Sequence, residues 1–286
     1  MAKSKKFIGI DLGGTKVNVG LVEGDKVIET EYAKLPQNQK SESEVIDLIV
    51  DLTKSVISRN NIDGIGIGVP SILDRKKGII YEVQNIPLWN EVPLGNILAK
   101  EFDVPIYMNN DANCFALGEY YFGAGQGCEH FVGLTLGTGM GSGIITNGRL
   151  LNDANCGSGE FGMIPYKEGV LEDYCSGKFF KRHYNSNGEE LLYLAKKGDV
   201  KSIEAFEQFG IHLGNAIKII LYAIDPEKII IGGSILNSAS FFKKSLENSI
   251  QNFGYKKVLE NFEIKYSNTP NIAVLGAASL CLESKN

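Results

Sequence analysis

Two short turns rich in glycine and threonine occupy matching positions in this 286-residue chain. The first lies within Phe7–Lys16 and the second within Phe131–Met140, and in each case an apolar run enters the turn and another leaves it. This pattern predicts a β-hairpin at each place. Such turns expose backbone N–H groups and a threonine hydroxyl without a bulky side chain, which suits the binding of phosphate oxygens. Two of them in one chain predict a duplicated domain that closes on a nucleotide.

The histidines and cysteines limit the kinds of metal binding and catalysis that can be expected. The histidines, His130, His183 and His212, do not stand at metal-ligand spacing from one another or from a cysteine. The five cysteines are odd in number and form no Cys-x-x-Cys pair, so we expect reduced thiols. A catalytic triad containing histidine is not expected, and a carboxylate is the candidate acid or base.

Composition excludes several classes of function. With 43% hydrophobic and 22% charged residues, the chain is expected to be a soluble globular protein with two cores. No apolar stretch reaches the length of a membrane span, and no signal peptide is apparent, so we expect a cytoplasmic protein without a membrane partner. The net charge of −5 and a pI of about 5.4 give no electrostatic footprint for nucleic acid.

The segments around the two turns alternate between strand and helix patterns, which predicts an α/β fold in both halves. We expect a small N-terminal domain at 1–110, completed by a C-terminal helix at 272–286, and a larger domain at 111–271. Strands are predicted at 62–69, 104–108, 228–231 and 262–266. Helices are predicted at 41–60, 94–102, 112–122, 173–184, 189–197, 201–223, 238–253 and 273–283.

Four pieces follow one another along the chain: Asp11–Thr15, Asn110-Asp111, Leu136–Gly139 and Ile231–Ser234. Their order resembles the superfamily of actin, hexokinase and heat-shock chaperone ATPases. Within it, the chain is similar over nearly its whole length to the ROK family of bacterial sugar kinases and sugar-responsive repressors. The resemblance implies duplicated ribonuclease H-like α/β domains with a central cleft, and a homodimer.

The resemblance also implies how ATP and Mg²⁺ are bound. Asp11 would hold Mg²⁺ through water at the end of the first strand, although a turn aspartate can simply satisfy local N–H groups. Thr135 takes the place of Asp11 in the second copy, so only the first turn supplies a carboxylate. Lys16 adds charge near the phosphates or is merely solvated. The implied ATP-binding set is Asp11, Gly13, Gly14, Thr15, Lys16, Gly137, Thr138, Gly139, Gly232 and Gly233.

Asp111 is the candidate general base. It follows a predicted strand and starts a helix, where the helix dipole favours the anionic carboxylate that would accept a proton from a sugar hydroxyl. Aspartate is also favoured as a helix N-cap, and both roles are compatible. Phosphoryl transfer depends mostly on positioning and charge neutralisation, so one carboxylate, one Mg²⁺ and two donor turns suffice.

Asn110, Glu160 and Glu172 match the positions that contact sugar hydroxyls in the family, and Asn85 lies in a family-like segment. The predicted sugar-binding set is Asn85, Asn110, Asp111, Glu160 and Glu172. Polar side chains that donate and accept in fixed directions are what a polyol requires. Glu172 has an alternative role as a carboxylate at a helix start. Trp89 either lines the sugar site or fills a core gap.

One segment departs from the family pattern. Many relatives carry a histidine and a cysteine-rich zinc loop between the two glutamates, whereas this chain has Met163 and Val170 and a shortened loop. No structural zinc is expected. Packing of Phe161, Ile164, Tyr166 and Leu171 is expected to order the loop instead.

The favoured hypothesis is an ATP-dependent hexose kinase, glucokinase-like, with glucose as the first candidate substrate. N-acetylmannosamine, fructose and β-glucosides remain open as acceptors. A non-enzymatic sugar-sensing repressor is a different class, which the intact turns and the short segment ahead of Asp11 disfavour. A filament or chaperone ATPase would explain the turns but not Asn110, Asp111, Glu160 and Glu172.

Overall fold

The computed structural model describes residues 4–36, 38–58, 60–83, 86–154 and 156–283. In chain order the strands are β1 (Lys6–Leu12), β2 (Lys16–Glu23), β3 (Lys26–Lys34), β4 (Gly64–Val69), β5 (Ile72–Asp74), β6 (Ile79–Tyr81), β7 (Glu91–Val92), β8 (Ile106–Asn110), β9 (Phe131–Leu136), β10 (Met140–Thr146), β11 (Arg149–Leu150), β12 (Pro165–Tyr166), β13 (Gly169–Val170), β14 (Lys228–Gly232) and β15 (Glu263–Tyr266). The helices are α1 (Ser43–Ile57), α2 (Leu94–Phe102), α3 (Asp111–Phe122), α4 (Leu171–Cys175), α5 (Gly177–Tyr184), α6 (Gly188–Lys196), α7 (Val200–Ile224), α8 (Ala239–Ile250), α9 (Lys256–Asn261) and α10 (Ile272–Glu283). Short 3₁₀ helices lie at Phe161–Met163 and Ser234–Ser238.

The chain divides into two compact units. The first comprises Met1–Gly127, Arg149–Ser158 and Asn268–Asn286, and the second comprises Cys128–Gly148 and Gly159–Ser267. None of the helices in the described ranges is long and apolar enough to cross a membrane.

A five-stranded sheet in the order β3-β2-β1-β4-β8 forms the centre of the first unit. Strands β1, β2 and β3 form antiparallel pairs, whereas β4 and β8 run parallel to β1. One face of the sheet packs on α10. The strands can approach the helix closely because they carry glycine there: a Cβ built on Gly66 would lie 1.8 Å from the carbonyl oxygen of Ala277.

The second unit repeats part of this arrangement. Strands β9 and β10 form an antiparallel hairpin, and β14 pairs in parallel with β9, so the order β10-β9-β14 matches β2-β1-β4. The two predicted hairpins are therefore present, each with a parallel strand beside its first strand. Helix α7 packs on α8 in this unit, with Gly210 against the backbone of Phe242.

Helix α3 lies in the first unit, whereas the expected boundary after Asn110 placed it in the second domain. The physical reason is its contact with α10. A Cβ on Gly118 would lie 2.4 Å from the carbonyl oxygen of Ile272, and one on Gly276 would lie 1.7 Å from that of Cys114. Glycines thus allow close contact between the backbones of α3 and α10. Because α10 belongs to the first unit, α3 belongs to it as well.

Local predictions differ from the structure at two further helices. Helix α1 begins at Ser43 and not at a capping box formed by Ser41 and Glu44, because the Glu44 carboxylate accepts from the backbone N–H of Lys40 at 3.1 Å. The helix predicted over 173–184 is broken at Ser176, which ends α4 and caps α5.

The role of Trp89, which the sequence left open, is structural. Its side chain is 1% exposed and belongs to the core of the first unit. The indole Nε1 donates to the backbone carbonyl of Glu42 at 3.0 Å, so the polar end of the ring is satisfied as well.

We predict that Gly276→Ala lowers the free energy of unfolding by about 2–3 kcal/mol, because the added methyl group collides with α3 and outweighs the gain in helix propensity. Chemical denaturation measures the change. The matched control is Gly157→Ala, where a Cβ would meet no atom within 4 Å. Equal stability of the two variants would contradict the close packing of α3 and α10.

Candidate active site

The turn between β1 and β2 is closed by a single backbone bond, from the N–H of Gly13 to the carbonyl of Lys16 at 2.9 Å. The carbonyl of Thr15 accepts from Leu35 at 2.9 Å. The N–H groups of Gly14 and Thr15 donate to no acceptor of a described residue. The turn therefore presents free backbone donors, as a phosphate-binding turn requires.

Asp11 lies at the end of β1, opposite Asn18 on β2. The Asn18 amide Nδ2 donates to Asp11 Oδ2 at 3.0 Å. Burial raises the pKa of Asp11, while the Asn18 hydrogen bond and the charge of Lys16 act in the opposite direction. The exposed Lys16 thus lies close enough to favour the ionised carboxylate.

The chemistry of Asp11 suits Mg²⁺, which prefers oxygen ligands and keeps several waters. Asn18 engages Oδ2 of this carboxylate, and Asp11 would hold the ion through water as the resemblance implies. Among the described residues, no group of three or more His, Cys, Asp or Glu side chains could hold a metal ion. The Mg²⁺ site at Asp11 and the absence of zinc both stay predictions.

The register of the parallel strands brings Asp11 and the start of α3 to one edge of the first sheet. Asp11 pairs with Gly68 on β4, and Gly68 pairs with Asn109 on β8. A Cβ on Gly68 would lie 3.4 Å from the Cα of Asp111. After burial, the charges of Asp111 and Asp11 are the next causes that raise the pKa of the Cys114 thiol. Both carboxylates therefore lie near this thiol.

Three side chains fix the first turn of α3. Asn110 is the N-cap, and its Oδ1 accepts from the N–H of Ala112 at 2.9 Å. Asp111 Oδ1 accepts from the same N–H at 2.9 Å, as the first residue of the helix. The buried Asn109 accepts from the N–H of Asn110 at 2.8 Å and from Asn113 Nδ2 at 2.9 Å. Asp111 is thus held at the positive end of the helix.

The second turn, between β9 and β10, is also closed by a backbone bond, although this bond spans one residue fewer than in the first turn. The N–H of Gly137 donates to the carbonyl of Gly139 at 3.0 Å, and the carbonyl of Gly137 accepts from Gly177 at 2.7 Å. Within the described part of the chain, the N–H groups of Thr138 and Gly139 meet no protein acceptor. The second unit therefore also offers two backbone donors.

Gly232 and Gly233 lie beside this turn. Gly232 ends β14 and pairs with Thr135 on β9. Gly233 has a φ of 94°, and a Cβ there would lie 2.2 Å from the carbonyl oxygen of Leu136. A residue with a side chain fits neither the conformation nor the space.

Glu172 binds the residue that directly follows the second turn. Its Oε2 accepts from the N–H of Met140 at 2.9 Å, and its Oε1 forms an ion pair with Lys178. The hydroxyl of Ser176 donates to the carbonyl of Glu172 at 2.7 Å. Lys178 was not predicted as a site residue. No feature of the sequence singled it out, because its role depends on the ion pair with Glu172 that only the structure shows.

Glu160 precedes the 3₁₀ helix at Phe161–Met163 and follows Gly159, which has a φ of 87°. The residue is exposed overall, yet the atoms around its carboxyl group remove part of the water, which raises its pKa. The charge of Glu172 raises that pKa further, which brings the two carboxylates into one electrostatic neighbourhood. Asn85 lies outside the described residues, so its sugar contact stays a prediction.

A short hairpin takes the place of the zinc loop. Strands β12 and β13 pair, and the N–H of Leu171 donates to the carbonyl of Ile164 at 3.0 Å. Tyr166 anchors the hairpin on α7: its hydroxyl is 3.0 Å from His212 Nδ1 and accepts from Asn215 Nδ2 at 2.9 Å. Phe161 and Leu171 are buried, as expected for a loop ordered by packing, and Met163 is 59% exposed.

Comparisons with known proteins show which proteins the chain is similar to. The sequence profile of the ROK family matches residues 7–284. A glucokinase from Thermotoga maritima is 30% identical over 97% of this chain and 98% of its own length. A xylose repressor from Bacillus subtilis is 26% identical over 98% of this chain and 78% of its own length.

A similar fold is seen in the crystal structure of the ROK hexokinase from Thermus thermophilus. The two chains superpose with a TM-score of 0.84 at 27% identity, over 98% of this chain and 99% of the other. The predicted α/β fold of the actin-like ATPase type is confirmed.

We predict that His212 makes the chain less stable in weak acid. Burial, with the charges of Lys167 and His183, lowers the pKa of His212 from 6.5 to about 4, so the folded state keeps it neutral while the unfolded state binds a proton. Stability contributed by this residue is present above pH 6.5 and is lost as the pH falls towards 4. Between pH 7.5 and 5.5 the loss should be about 1.4 kcal/mol.

Urea denaturation at both pH values measures this effect. His212→Gln, which cannot be protonated, should lose less stability than the unchanged chain over the same interval. An identical pH dependence in both proteins would show that His212 is not buried in the neutral form.

Proposed function

The chain belongs to the ROK family, and from this membership we propose that it is an ATP-dependent sugar kinase that transfers the γ-phosphoryl group to a hexose hydroxyl. One observation supports this proposal above the others. The first unit holds Asp11 and Asp111 at one sheet edge, beside a turn with free backbone donors. This is the set that phosphoryl transfer uses: donors for phosphate, a carboxylate for a cation, and a carboxylate for the attacking hydroxyl.

Asp111 is the base in the proposed mechanism. Its carboxylate accepts the proton of the sugar hydroxyl as the oxygen attacks the γ-phosphorus. Gly13 and Gly137 close the two turns, and the N–H groups of Gly14 and Thr15 in the first turn and of Thr138 and Gly139 in the second bind phosphate oxygens. Mg²⁺, when bound near Asp11, supplies neutralisation of phosphate charge.

Glucose is the first candidate substrate, since the glucokinase from Thermotoga maritima shares 30% identity with this chain. Asn110, Glu160 and Glu172 would bind sugar hydroxyls. N-acetylmannosamine, fructose and β-glucosides are the alternative acceptors, because Met163 stands where many relatives have a histidine. A coupled assay of ADP release across these sugars identifies the acceptor.

A second candidate function is that of a sugar-sensing regulator without kinase activity. The similarity to the xylose repressor of Bacillus subtilis favours it. ATP turnover that responds to no sugar, together with retarded migration of promoter DNA at physiological salt, would support the regulator over the kinase.

We predict that Asp111→Asn lowers kcat for the best sugar by about 100-fold to 10,000-fold, because the amide cannot accept the hydroxyl proton. The coupled ADP assay measures the loss. Asp47→Asn, an exposed change on α1, is the matched control and should keep full activity. Full activity of Asp111→Asn would remove this residue from the role of base.

We also predict that Asn18→Ala moves the acid limb of the pH profile of kcat/KM for ATP to higher pH. The Asn18 hydrogen bond favours the ionised form of Asp11, so its loss raises the pKa of that carboxyl further. Activity that needs the carboxylate is then lost at a higher pH than before. Asn96→Ala, which removes a surface hydrogen bond to Lys77, should leave the profile in place.

A further inference from the structure

Lys178 is a cation placed at the second phosphate turn. Helix α5 begins at Gly177, whose N–H donates to the carbonyl of Gly137 at 2.7 Å, so the residue that follows lies against the turn. The side chain of Lys178 is 49% exposed and pairs with Glu172, whose side chain is 19% exposed. The ammonium group thus pairs with one carboxylate, and about half of the lysine side chain is exposed to solvent.

Glu172 joins this cation to the turn itself. Its Oε2 accepts from Met140, the residue after the turn, and also lies 2.7 Å from the position of a Cβ on Gly139. Its Oε1 is the partner of Lys178. One carboxylate therefore binds the N–H of Met140, directly after the turn, with one oxygen and the lysine with the other.

We propose that Lys178 binds nucleotide phosphate and exchanges partners when it does so. Without nucleotide, Lys178 neutralises Glu172. When phosphate oxygens occupy the donors of Thr138 and Gly139, the ammonium group turns to the phosphate, and Oε1 of Glu172 becomes available to a sugar hydroxyl. The second half of this inference rests on the proposed function, while the first half concerns nucleotide alone.

The chemistry of the two groups favours the exchange. A lysine ammonium is a point charge on a flexible stem, and it binds phosphate as readily as carboxylate. An ion pair of a half-exposed lysine is weak, so phosphate can replace the carboxylate at little cost. Because the coupling between two ligands is reciprocal, sugar bound to Glu172 should in turn strengthen nucleotide binding.

Calorimetric titration with AMPPNP and Mg²⁺, without sugar, tests the first half. Lys178→Met should weaken binding about tenfold, the loss of one charge-assisted hydrogen bond, and Lys178→Arg should restore most of it. Glu172→Gln should strengthen binding a few-fold, since the competing charge is removed while an oxygen remains for Met140. In the double variant this gain should disappear. Lys181→Met, an exposed change on the same helix, is the matched control and should bind normally.

AMPPNP titration in the presence of the acceptor sugar, identified by the coupled ADP assay, tests the second half. The sugar should strengthen AMPPNP binding in the unchanged protein and lose this effect in Lys178→Met. Unchanged AMPPNP affinity of Lys178→Met would overturn the proposal, as would a gain from Glu172→Gln that persists in the double variant. A fall in Tm with unaltered affinity would make Lys178 a purely structural residue.

The two proposals fail in different ways. If no sugar is phosphorylated but Lys178→Met still weakens AMPPNP binding, the kinase assignment fails and the phosphate role of Lys178 stands. If sugars are phosphorylated and Lys178→Met binds AMPPNP normally, the kinase assignment stands and Lys178 has no phosphate role. A protein that binds no AMPPNP at all overturns both.

Discussion

The close packing of α3 on β4 at Gly68 is the constraint on which the candidate site depends. Gly68 pairs with Asp11 on one side and with Asn109 on the other, and a Cβ on Gly68 would lie 3.1 Å from Cys114 Sγ and 3.4 Å from the Cα of Asp111. The start of α3 therefore packs closely against β4 at the sheet edge that carries Asp11. The relative position of the two residues that carry the carboxylates is therefore set by strand pairing and backbone packing.

Glycines also permit close backbone packing elsewhere in the first unit. Strands β1 and β4 meet α10 through glycine, and α10 meets α3 through glycine at Gly118 and Gly276. Helix α3 is thus fixed from two sides, by the sheet edge at its start and by α10 along its length. The candidate base, Asp111, therefore lies on a helix with little freedom to move. A general base needs such a fixed position because it must lie within hydrogen-bond distance of the reacting hydroxyl.

Much of the site was predictable from the sequence because its parts are local. Glycine and threonine between two apolar runs specify a hairpin turn, and Asp111 after a strand specifies a helix start. The features that could not be predicted depend on contacts between residues that are distant in the sequence. The contact of Tyr166 with His212, and the packing of α3 on α10, leave no periodic signal. The predicted capping box of Ser41 and Glu44 was wrong because the Glu44 carboxylate accepts from the N–H of Lys40 instead.

The hairpin of β12 and β13 also bears on how the chain folds as it is synthesised. Its anchor, Tyr166, bonds to residues 46 and 49 positions further along, on α7. A two-residue pair of strands is too short to be stable alone. The hairpin therefore lacks this anchor until α7 has been synthesised, and Glu172 lies two residues beyond β13, next to an element that depends on α7. Ordering by a distant helix makes this corner of the site dependent on contacts of long sequence separation.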